Sequence, residues 1–482
     1  MPPSAWACSF NSTPPVLIQK IETPACELVF NQGTLMKFIS FSASLLAISM
    51  AASSAYAKVS AQEALQIGKL LTAVGAEQKA NANKSIPAYT GGLAQDTNVD
   101  PYKDIYANEL PLFIISKINL AQYKSNLTSG QVAMFEKYPD TYTMPIYPTH
   151  RTANYPANIL AKAKRNATSS TLLQGGDGLT NFDETMPFVI PKNGVEVIWN
   201  HQTRFRGGSV ELNQAIISVE RNGDFSPIKL RQKFSPPQYL VDGYDKQEDS
   251  NILFYMTAVT KSPARLTGNI LLIHETIDQV KEPRKAWQYN AGQRRVRRAP
   301  QVAYDAPDNG DLRTVDQVDM YNGAPDRYNW KLIGKKEIYI PYNSYKLMDQ
   351  NAKYKDIIKP GHINQQYTRY ELHRTWHVQA TLKQGTRHIY AKRDFYVDED
   401  SWQIAVADHY DGRGQLWRMA EGHSMQFVNV NAPWYIAQTN YDLLSGRYMA
   451  ELNNEERDAF VFGAQFKRKD FTTTELRRSG SR

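Results

Sequence analysis

Cysteine is the scarcest chemistry-bearing residue of this sequence. Its 482 residues include two cysteines, Cys8 and Cys26, and both precede residues 36–57, which we interpret below as a cleaved export signal. The chain after that signal has no cysteine, which excludes disulfide bonds, thiol catalysis and thiolate metal sites from the mature protein. No cysteine stands at the predicted cleavage junction either, so we do not expect a lipid-anchored lipoprotein.

A hydrophobic run long enough for a comfortable membrane span is also missing near the start. Met36 and Lys37 precede an apolar run at residues 38–52, and Ala55, Tyr56 and Ala57 follow it. A charged start, a short apolar segment and an Ala-x-Ala site predict a secretory signal peptide over 36–57, cleaved after Ala57. We therefore expect residues 1–35 to be a mis-called extension, with a genuine extension as the alternative, and the mature protein to be soluble and periplasmic.

The motifs of the common enzyme classes are absent from the sequence. It has no Gly-x-Ser-x-Gly, no His-Glu-x-x-His, no phosphate-binding Gly-Lys-Ser loop and no Gly-x-Gly-x-x-Gly. We therefore predict no enzymatic activity, no catalytic residues and no cofactor. An envelope hydrolase using Glu371, His373 or the acidic turn at residues 398–400 is the weakest of the alternatives that remain open.

Positive charge is in modest excess, with a net charge of +8 and a pI near 9.1. The most basic segment, Arg-Arg-Val-Arg-Arg at 294–298, has no recognised nucleic-acid-binding module around it, and an exported protein does not meet nucleic acid. We predict no nucleic-acid partner. The arginines either form a solvated or salt-bridged sheet face opposite the Asp-rich residues 305–319, or bind the anionic head of a lipid or an envelope partner.

Residues 285–300 read as a β-hairpin around which the sheet is organised. Trp287 and Tyr289 lie two apart on one face of its first strand, residues 290–293 form the turn, and Gly292 suits a positive φ. On the return strand, Arg295 and Arg297 face away from the other arginines. We expect further hairpins on both sides of this one.

The rest of the chain predicts a mainly β protein with some α-helix. Residues 370–382 alternate apolar and polar side chains, which indicates a strand with one buried and one wet face. Residues 187–206 and the segments after 215 also have β character, whereas residues 60–80, 128–138 and 157–165 suggest helices. We predict a helical or irregular segment over 58–186, packed on a large curled antiparallel sheet, a half-open β-barrel, over 187–482.

Histidine and acidic residues on the predicted strand at 370–382 raise the question of a metal site. Glu371, His373 and His377 share one strand face, and His388 follows on the next strand. However, two histidines four residues apart on a strand lie about 13 Å apart, too far for one zinc ion. We predict no metal, with cross-strand hydrogen bonds instead, and we interpret residues 398–400 as a turn.

Several motifs in this chain resemble the uncharacterised "domain of unknown function 1329" family. The motifs are Asn-Gly-Val-Glu at 193–196, Pro-Arg-Lys-Ala-Trp-Gln-Tyr at 283–289, Gly-Gln-Arg-Arg-Val-Arg-Arg-Ala-Pro at 292–300, Asn-Gly-Ala-Pro-Asp-Arg-Tyr at 322–328 and Tyr-Glu-Leu-His-Arg at 370–374. That family is similar to outer-membrane lipoprotein-sorting proteins of the LolA/LolB type. The resemblance implies a half-open β-barrel with a helical lid over an apolar cavity that carries acyl chains across the periplasm.

The sequence and this resemblance together favour a non-enzymatic periplasmic carrier for a lipid or another hydrophobic ligand. We predict Trp287, Tyr289, Trp376 and Val378 as the cavity wall, and Arg294, Arg295, Arg297 and Arg298 as a rim for anionic groups. The alternative is an interaction protein that docks onto an inner- or outer-membrane transport component through its basic face and holds no ligand of its own.

Overall fold

The computed structural model describes residues 59–299, 304–308 and 310–480. The predicted signal peptide at 36–57, the predicted mis-called extension at 1–35 and both cysteines lie outside these residues. The described residues form twenty strands, eight α-helices and several short 3-10 turns.

The helices are α1 (Ala61–Ala64), α2 (Leu120–Tyr123), α3 (Ser129–Lys137), α4 (Ala157–Ser169), α5 (Gly194–Thr203), α6 (Lys246–Asp249), α7 (Tyr354–Ile357) and α8 (Thr473–Gly480). The first ten strands are β1 (Phe113–Ile115), β2 (Met144–Ile146), β3 (Thr171–Leu172), β4 (Leu179–Thr180), β5 (Val210–Val219), β6 (Phe225–Ser235), β7 (Ile252–Ser262), β8 (Ile270–Thr276), β9 (Lys285–Asn290) and β10 (Arg295–Arg298). The remaining strands are β11 (Pro307–Asp308), β12 (Arg313–Thr314), β13 (Tyr328–Pro341), β14 (Tyr370–Leu382), β15 (Lys392–Asp398), β16 (Ile404–Tyr410), β17 (Leu416–Phe427), β18 (Ala432–Asp442), β19 (Tyr448–Leu452) and β20 (Phe460–Phe462).

One sheet of sixteen strands dominates the fold. Its order is β1-β2-β14-β15-β16-β17-β18-β19-β5-β6-β7-β8-β9-β10, with β13 paired to β14 and β20 paired to β5. Its strand pairs are antiparallel except the single β2–β14 contact, and the order has two ends, so the sheet is not closed on itself. The predicted mainly β class with some helix is therefore confirmed. Strands from both predicted segments, β1 and β2 from 58–186 and the others from 187–482, join this sheet.

The hairpin at 285–300 forms as β9 and β10, with Arg295 opposite Asn290 and Arg298 opposite Trp287. Two expectations about it are wrong. The left-handed backbone is at Arg294, with φ of 52°, and not at Gly292. β10 is one end of the sheet, so strands are added only on the β9 side. Exposed charged side chains along an edge strand disfavour a further strand, which accounts for this position.

The β character expected for residues 195–206 is also wrong, because a buried helix occupies most of this range. Asn193 caps α5 by accepting a hydrogen bond from the Glu196 amide at 3.1 Å. All ten residues of α5 are buried, and the helix packs against β13 and β14. Val195, Ile198 and Trp199 have helical spacing, but this run is too short and too apolar for periodicity alone to separate a helix from a strand.

Strand β14 spans the predicted residues 370–382, but it lacks the predicted wet face over its first six residues. Tyr370 to Thr375 are all buried. The polar face is covered by other parts of the chain: the His150 amide donates to Glu371 at 2.7 Å, and Thr375 donates to the Lys336 carbonyl at 2.9 Å. Over these residues, the alternation of apolar and polar side chains therefore distinguishes an apolar buried face from a polar buried face, rather than a buried face from an exposed one.

The helices predicted in the N-terminal segment form to different extents. α3 begins after Thr128, one of the two predicted starts of this helix, and Thr128 forms a capping box with Gln131. α4 covers the predicted 157–165 and extends to Ser169. The predicted helix at 60–80 shrinks to the four residues of α1, because Gly68 and Gly75 adopt positive φ. Among the described residues, no helix combines the length and the hydrophobicity needed to cross a membrane.

A buried acid couples α3 to the sheet and gives a testable pH dependence. Asp408 on β16 accepts hydrogen bonds from Thr128 Oγ1 at 3.1 Å and from the Gly130 amide at 3.0 Å. Burial raises the pKa of Asp408 to about 7. The folded chain therefore binds more protons than the unfolded chain between about pH 4 and 7, where an unfolded aspartate has already ionised.

We predict that the free energy of unfolding falls as pH rises through this window, and that Asp408→Asn removes part of the fall. One such group contributes at most about 1.4 kcal/mol per pH unit. Urea titrations at pH 4.5, 6 and 7.5 measure the free energy of unfolding at each pH. Asp140→Asn is the control, because Asp140 is exposed. Equal pH slopes for wild type and Asp408→Asn would contradict the assignment.

Candidate functional site

A cavity of about 400 Å³ lies between one face of the sheet and residues 304–308 and 310–322, which we call the cover. Its size falls within the range of small-molecule sites, about 300–1,000 Å³. Its apolar wall consists of Leu212, Ile216, Leu230, Phe234, Phe254, Met256, Ala258, Leu271, Ile273 and Trp434. These residues come mainly from alternate positions of β5 to β8, so a single sheet face supplies most of the wall.

The register of the strands defines this face. One row of directly opposed residues crosses six strands from β5 to β10, and opposed residues share a face of the sheet. The row is Leu212, Gln232, Ala258, Leu271, Gln288 and Arg297. The cavity wall thus continues on one face to the sheet edge, where it ends in an arginine.

Three glutamine side chains interrupt the apolar wall. Gln214, Gln232 and Gln288 line the cavity, and among the described residues no side-chain hydrogen bond engages their amide groups. Each amide offers both donors and an acceptor to a bound molecule. The wall therefore combines apolar surface with uncharged hydrogen-bonding groups.

The charged residues of the cavity are already paired within the protein. Arg313 of the cover donates to Glu451 at 2.6 Å and to Asp308 at 2.7 Å. Arg284 donates to Glu275 at 2.7 Å. The interior of the cavity therefore offers little unneutralised charge.

Buried ion pairs and an apolar contact hold the cover in place. Leu312 packs with Ile216 and Met449. Asp319 accepts hydrogen bonds from Arg204 and Arg206, whose side chains are almost fully buried. Although burial opposes ionisation, Arg204 and Arg206 hold the pKa of Asp319 well below its usual range.

A second aspartate of the cover is anchored in the same way. Asp316 accepts hydrogen bonds from Arg393 Nη2 at 2.9 Å and from Thr314 Oγ1 at 2.6 Å. Of the two forms of the first interpretation, the salt-bridged one is therefore wrong for Asp316 and Asp319, whereas the exposed arginines of 294–298 agree with the solvated one. Asp316 and Asp319 neutralise buried arginines from distant segments, a pairing that spacing along the chain does not reveal.

The four residues predicted as the cavity wall lie elsewhere. Trp287 and Tyr289 lie on the opposite face of β9, where Tyr289 donates to the Gly480 carbonyl at the end of α8 at 3.0 Å. Trp376 stacks on Trp402, with ring centroids 6.1 Å apart, and Val378 is fully buried in the main core. None of the four lines the cavity. The structure separates Trp287 and Tyr289 from Trp376 and Val378 into two packed clusters.

The four arginines predicted as a rim are all exposed, and among the described residues no hydrogen bond or ion pair of their side chains is formed. Arg295 and Arg297 share the cavity face, because they oppose Asn290 and Gln288. Arg298 opposes Trp287 and lies on the other face, and Arg294 is in the turn. Two of the four predicted arginines, Arg295 and Arg297, therefore lie on the same face of the sheet as the cavity.

The acidic and histidine residues of β14 form hydrogen-bonded pairs, as the sequence suggested. His373 Nε2 lies 3.2 Å from Glu371 Oε2, and His377 Nε2 lies 3.0 Å from Asp394 Oδ1. The acidic turn at 398–400 connects β15 to β16, but it is buried rather than exposed. Arg151 makes a bidentate pair with Asp400, at 2.6 and 2.8 Å.

The residues that line the cavity were missed at the level of sequence. One sequence pattern could have identified them: a glutamine lies between two apolar residues on the same face of a strand. It occurs as Leu212-x-Gln214-x-Ile216 and as Leu230-x-Gln232-x-Phe234. A glutamine at a repeated inward position of a sheet indicates a wall that faces a ligand or water rather than a packed core.

The chain was compared with known proteins. A family model described as "Protein of unknown function (DUF1329)" matches residues 114–477. An uncharacterized protein of Pseudomonas aeruginosa is 56% identical over 445 residues, which cover 91% of this chain and 98% of that protein.

Three solved structures share a lower similarity. A putative outer membrane lipoprotein-sorting protein domain from Vibrio parahaemolyticus has 12% identity and a TM-score of 0.42, and covers 59% of this chain and 98% of its own. A DUF1329 family protein from Desulfovibrio piger has 13% identity and a TM-score of 0.39, covering 56% and 92%. A LolA superfamily protein from Nitrosomonas europaea has 11% identity and a TM-score of 0.36, covering 59% and 100%. At these TM-scores the three structures carry no argument about this chain.

The anchoring of the cover can be tested by removing one charge. We predict that Asp319→Asn lowers the free energy of unfolding by about 3–5 kcal/mol, because two buried arginines lose their partner. Asparagine tolerates the positive φ of 57° at this position, so the variant isolates the charge.

Chemical denaturation measures the change. Asp311→Asn is the matched control, because Asp311 is an exposed cover residue with φ of 66°, and it should change stability by less than about 0.5 kcal/mol. Equal effects for the two variants would show that the ion pairs at Asp319 do not hold the cover.

Proposed function

The chain belongs to the DUF1329 family, and from that premise we propose that it is a periplasmic binding protein or carrier for a hydrophobic ligand. The observation that carries this proposal is the cavity beneath the cover, whose apolar sheet face is not filled by the protein's own side chains. A packed sheet face would leave no such volume, since protein interiors are normally close-packed.

A curved sheet accords with this proposal. Strands β5 to β9 contribute to the cavity wall together with Trp434 and Gln438 of β18 and Glu451 of β19. A single cavity touched by this many strands supports a half-open β-barrel, with the cover across its opening. The covering element in this proposal is the cover, which contains two short strands and one 3-10 turn, rather than a helical lid.

The cavity chemistry indicates an amphipathic ligand. Each methylene group transferred from water to the apolar wall contributes about 0.8 kcal/mol, so a short chain provides most of the binding free energy. Gln214 and Gln232 provide hydrogen-bonding groups for an uncharged ester, amide or hydroxyl. Because Arg284 and Arg313 already have acidic partners, an anionic group is better placed at the sheet edge, beside Arg295 and Arg297.

The aromatic residues predicted from sequence have a supporting role in this proposal. Trp287 and Tyr289 attach β9 to the C-terminal segment, which includes Phe471 and Leu476. They thereby fix the strand whose other face carries Gln288 towards the cavity. Their contact with a ligand is not part of this proposal.

Binding of a fluorescent fatty acid to the cavity provides the first test. We predict that Ala258→Trp lowers the affinity at least tenfold, because the new indole occupies the middle of the wall. Lys261→Trp is the matched control, since it places the same side chain on the same strand at an exposed position that does not line the cavity. Unchanged affinity in Ala258→Trp would contradict binding at this site.

The rim is tested by reversing charge on one face at a time. Arg295→Glu combined with Arg297→Glu should lower the affinity for a fluorescent fatty acid by about tenfold or more. Each positive charge near an anionic group contributes about 1 kcal/mol to binding. An uncharged fluorescent alcohol of equal chain length should be affected much less. Arg298→Glu, on the opposite face, is the control.

The alternative function is docking onto an envelope transport component, without a ligand. The specific observation for it is the set of four exposed, unpaired arginines at the sheet edge. In that case the Ala258→Trp variant would retain full function, whereas charge reversal at all four arginines would abolish a salt-sensitive association.

A further inference from the structure

One histidine and two aspartates form a buried cluster that the proposed carrier function does not use. His373 lies on β14, and Asp398 and Asp400 lie at the end of β15 and in the turn that follows. Each offers a ligand atom, and these atoms all lie within 4.8 Å of one another. Exposed fractions are 1%, 1% and 2%, and none of the three lines the cavity.

Asp398 is a buried carboxylate with an unsatisfied oxygen. Its Oδ2 accepts hydrogen bonds from the Ser401 amide at 2.9 Å and from Ser401 Oγ at 2.6 Å. Its Oδ1 has no hydrogen-bond partner and lies 3.6 Å from His373 Nδ1. Among the described residues, no lysine or arginine forms an ion pair with Asp398, although the neighbouring Glu399 and Asp400 both pair with Arg151.

A carboxylate in this environment needs a positive charge. The Oδ1 of Asp398 is buried without a hydrogen-bond partner, and an ionised carboxylate buried in this way is costly unless a positive charge or a proton compensates it. The compensating charge is therefore a proton, an imidazolium at His373 or a bound cation.

His373 is oriented as metal-binding histidines are. Its Nε2 lies 3.2 Å from Glu371 Oε2, so Nε2 carries the proton and donates it to that carboxylate. Glu371 is fixed in turn by Arg369 at 2.6 Å and by Asn343 at 2.9 Å. This leaves the lone pair of Nδ1 directed towards Asp398, the arrangement in which a second carboxylate sets the tautomer of a histidine ligand.

We propose that His373 Nδ1, Asp398 Oδ1 and one carboxylate oxygen of Asp400 bind a divalent transition-metal ion, with zinc favoured. Two ligands of a tetrahedral zinc ion are about 3.4 Å apart at bond lengths of about 2.1 Å, close to the 3.6 Å between His373 and Asp398. The Asp400 oxygens, which accept from Arg151, each retain a lone pair for the ion. An imidazole among the ligands favours zinc over calcium or magnesium.

The bound ion would have a structural role. It would connect the buried part of β14 to the turn between β15 and β16, two elements that the ion pair between Arg374 of β14 and Glu399 of the turn, at 2.8 Å, already joins. Water would complete the coordination, since three protein ligands are present.

The same two strands offer a matched control. His377 Nε2 lies 3.0 Å from Asp394 Oδ1, again a histidine of β14 beside an aspartate of β15. Its neighbours are Gln379, which also donates to Asp394, and Lys392, and among the residues that the structure describes no second carboxylate has a ligand atom close enough to complete a set of three. A metal that binds any buried histidine–aspartate pair would use both sites, whereas the proposed site requires Asp400.

The test uses the mature chain, exported to the periplasm and purified without a polyhistidine tag or chelator. We expect inductively coupled plasma mass spectrometry to find about one zinc ion per chain. A strong chelator should remove this zinc and lower the Tm of the protein, and addition of zinc should restore the Tm. Replacing zinc by cobalt should give the intense visible absorption of a tetrahedral site. That spectrum is measured on the wild-type chain and does not require any variant to fold.

The variants locate the ion. His373→Gln and Asp398→Asn should lose the metal, His377→Gln should retain it, and Glu371→Gln should bind zinc about 10- to 100-fold more weakly. A wild-type chain without zinc, with neither a zinc-dependent Tm nor a cobalt spectrum, would overturn the proposal and leave a His373–Asp398 ion pair. Retention of the metal by a folded His373→Gln variant would overturn it as well.

Discussion

The structure depends on neutralising charges that the fold buries. The clearest case is Asp319, which accepts hydrogen bonds from Arg204 and Arg206. Arg204 follows the end of α5, Arg206 borders the cavity, and Asp319 belongs to the cover. One carboxylate therefore joins the buried helix, the cavity wall and the segment above it. Leaving two arginines unpaired at low exposure is costly, and this cost is what keeps the cover over the sheet.

The two faces of strands β7 to β9 serve different purposes. One face is packed by the C-terminal segment, where Tyr255, Leu272 and Tyr289 meet Phe471 and Leu476. The other face carries Met256, Ala258 and Leu271 towards an unfilled cavity. Packing on the first face stabilises the strands, so the second face need not be filled to hold the sheet together. This division allows a stable sheet to keep an unfilled cavity on one face.

Local signals were sufficient to predict individual elements. The turn between Trp287 and Arg297, the strand β14 and the start of α3 after Thr128 each depend on a few neighbouring residues, and each formed. The position of β10 at the sheet edge could not be predicted, because it depends on which strands pair at long range. The helix α5 was missed because its capping residue, Asn193, also fits a turn.

The candidate site was harder to predict than the fold. Alternation separates Trp287 and Tyr289 from Gln288, but it does not indicate which face the C-terminal segment covers. Trp287 and Tyr289, which the sequence predicts as part of the wall, belong to the packed face. The buried partners of Asp316 and Asp319 likewise come from residues more than seventy positions away, beyond the reach of any pattern of spacing.

Native mass spectrometry of the mature chain, residues 58–482, purified from its own periplasm, tests the central claim most directly. The account predicts a discrete added mass that denaturation releases, and organic extraction should identify it as an amphipathic molecule with an apolar chain. The Ala258→Trp variant, purified in the same way, should carry less of it. A wild-type chain that has only its own mass, also after incubation with envelope lipids, would contradict the carrier and favour docking through the arginine edge.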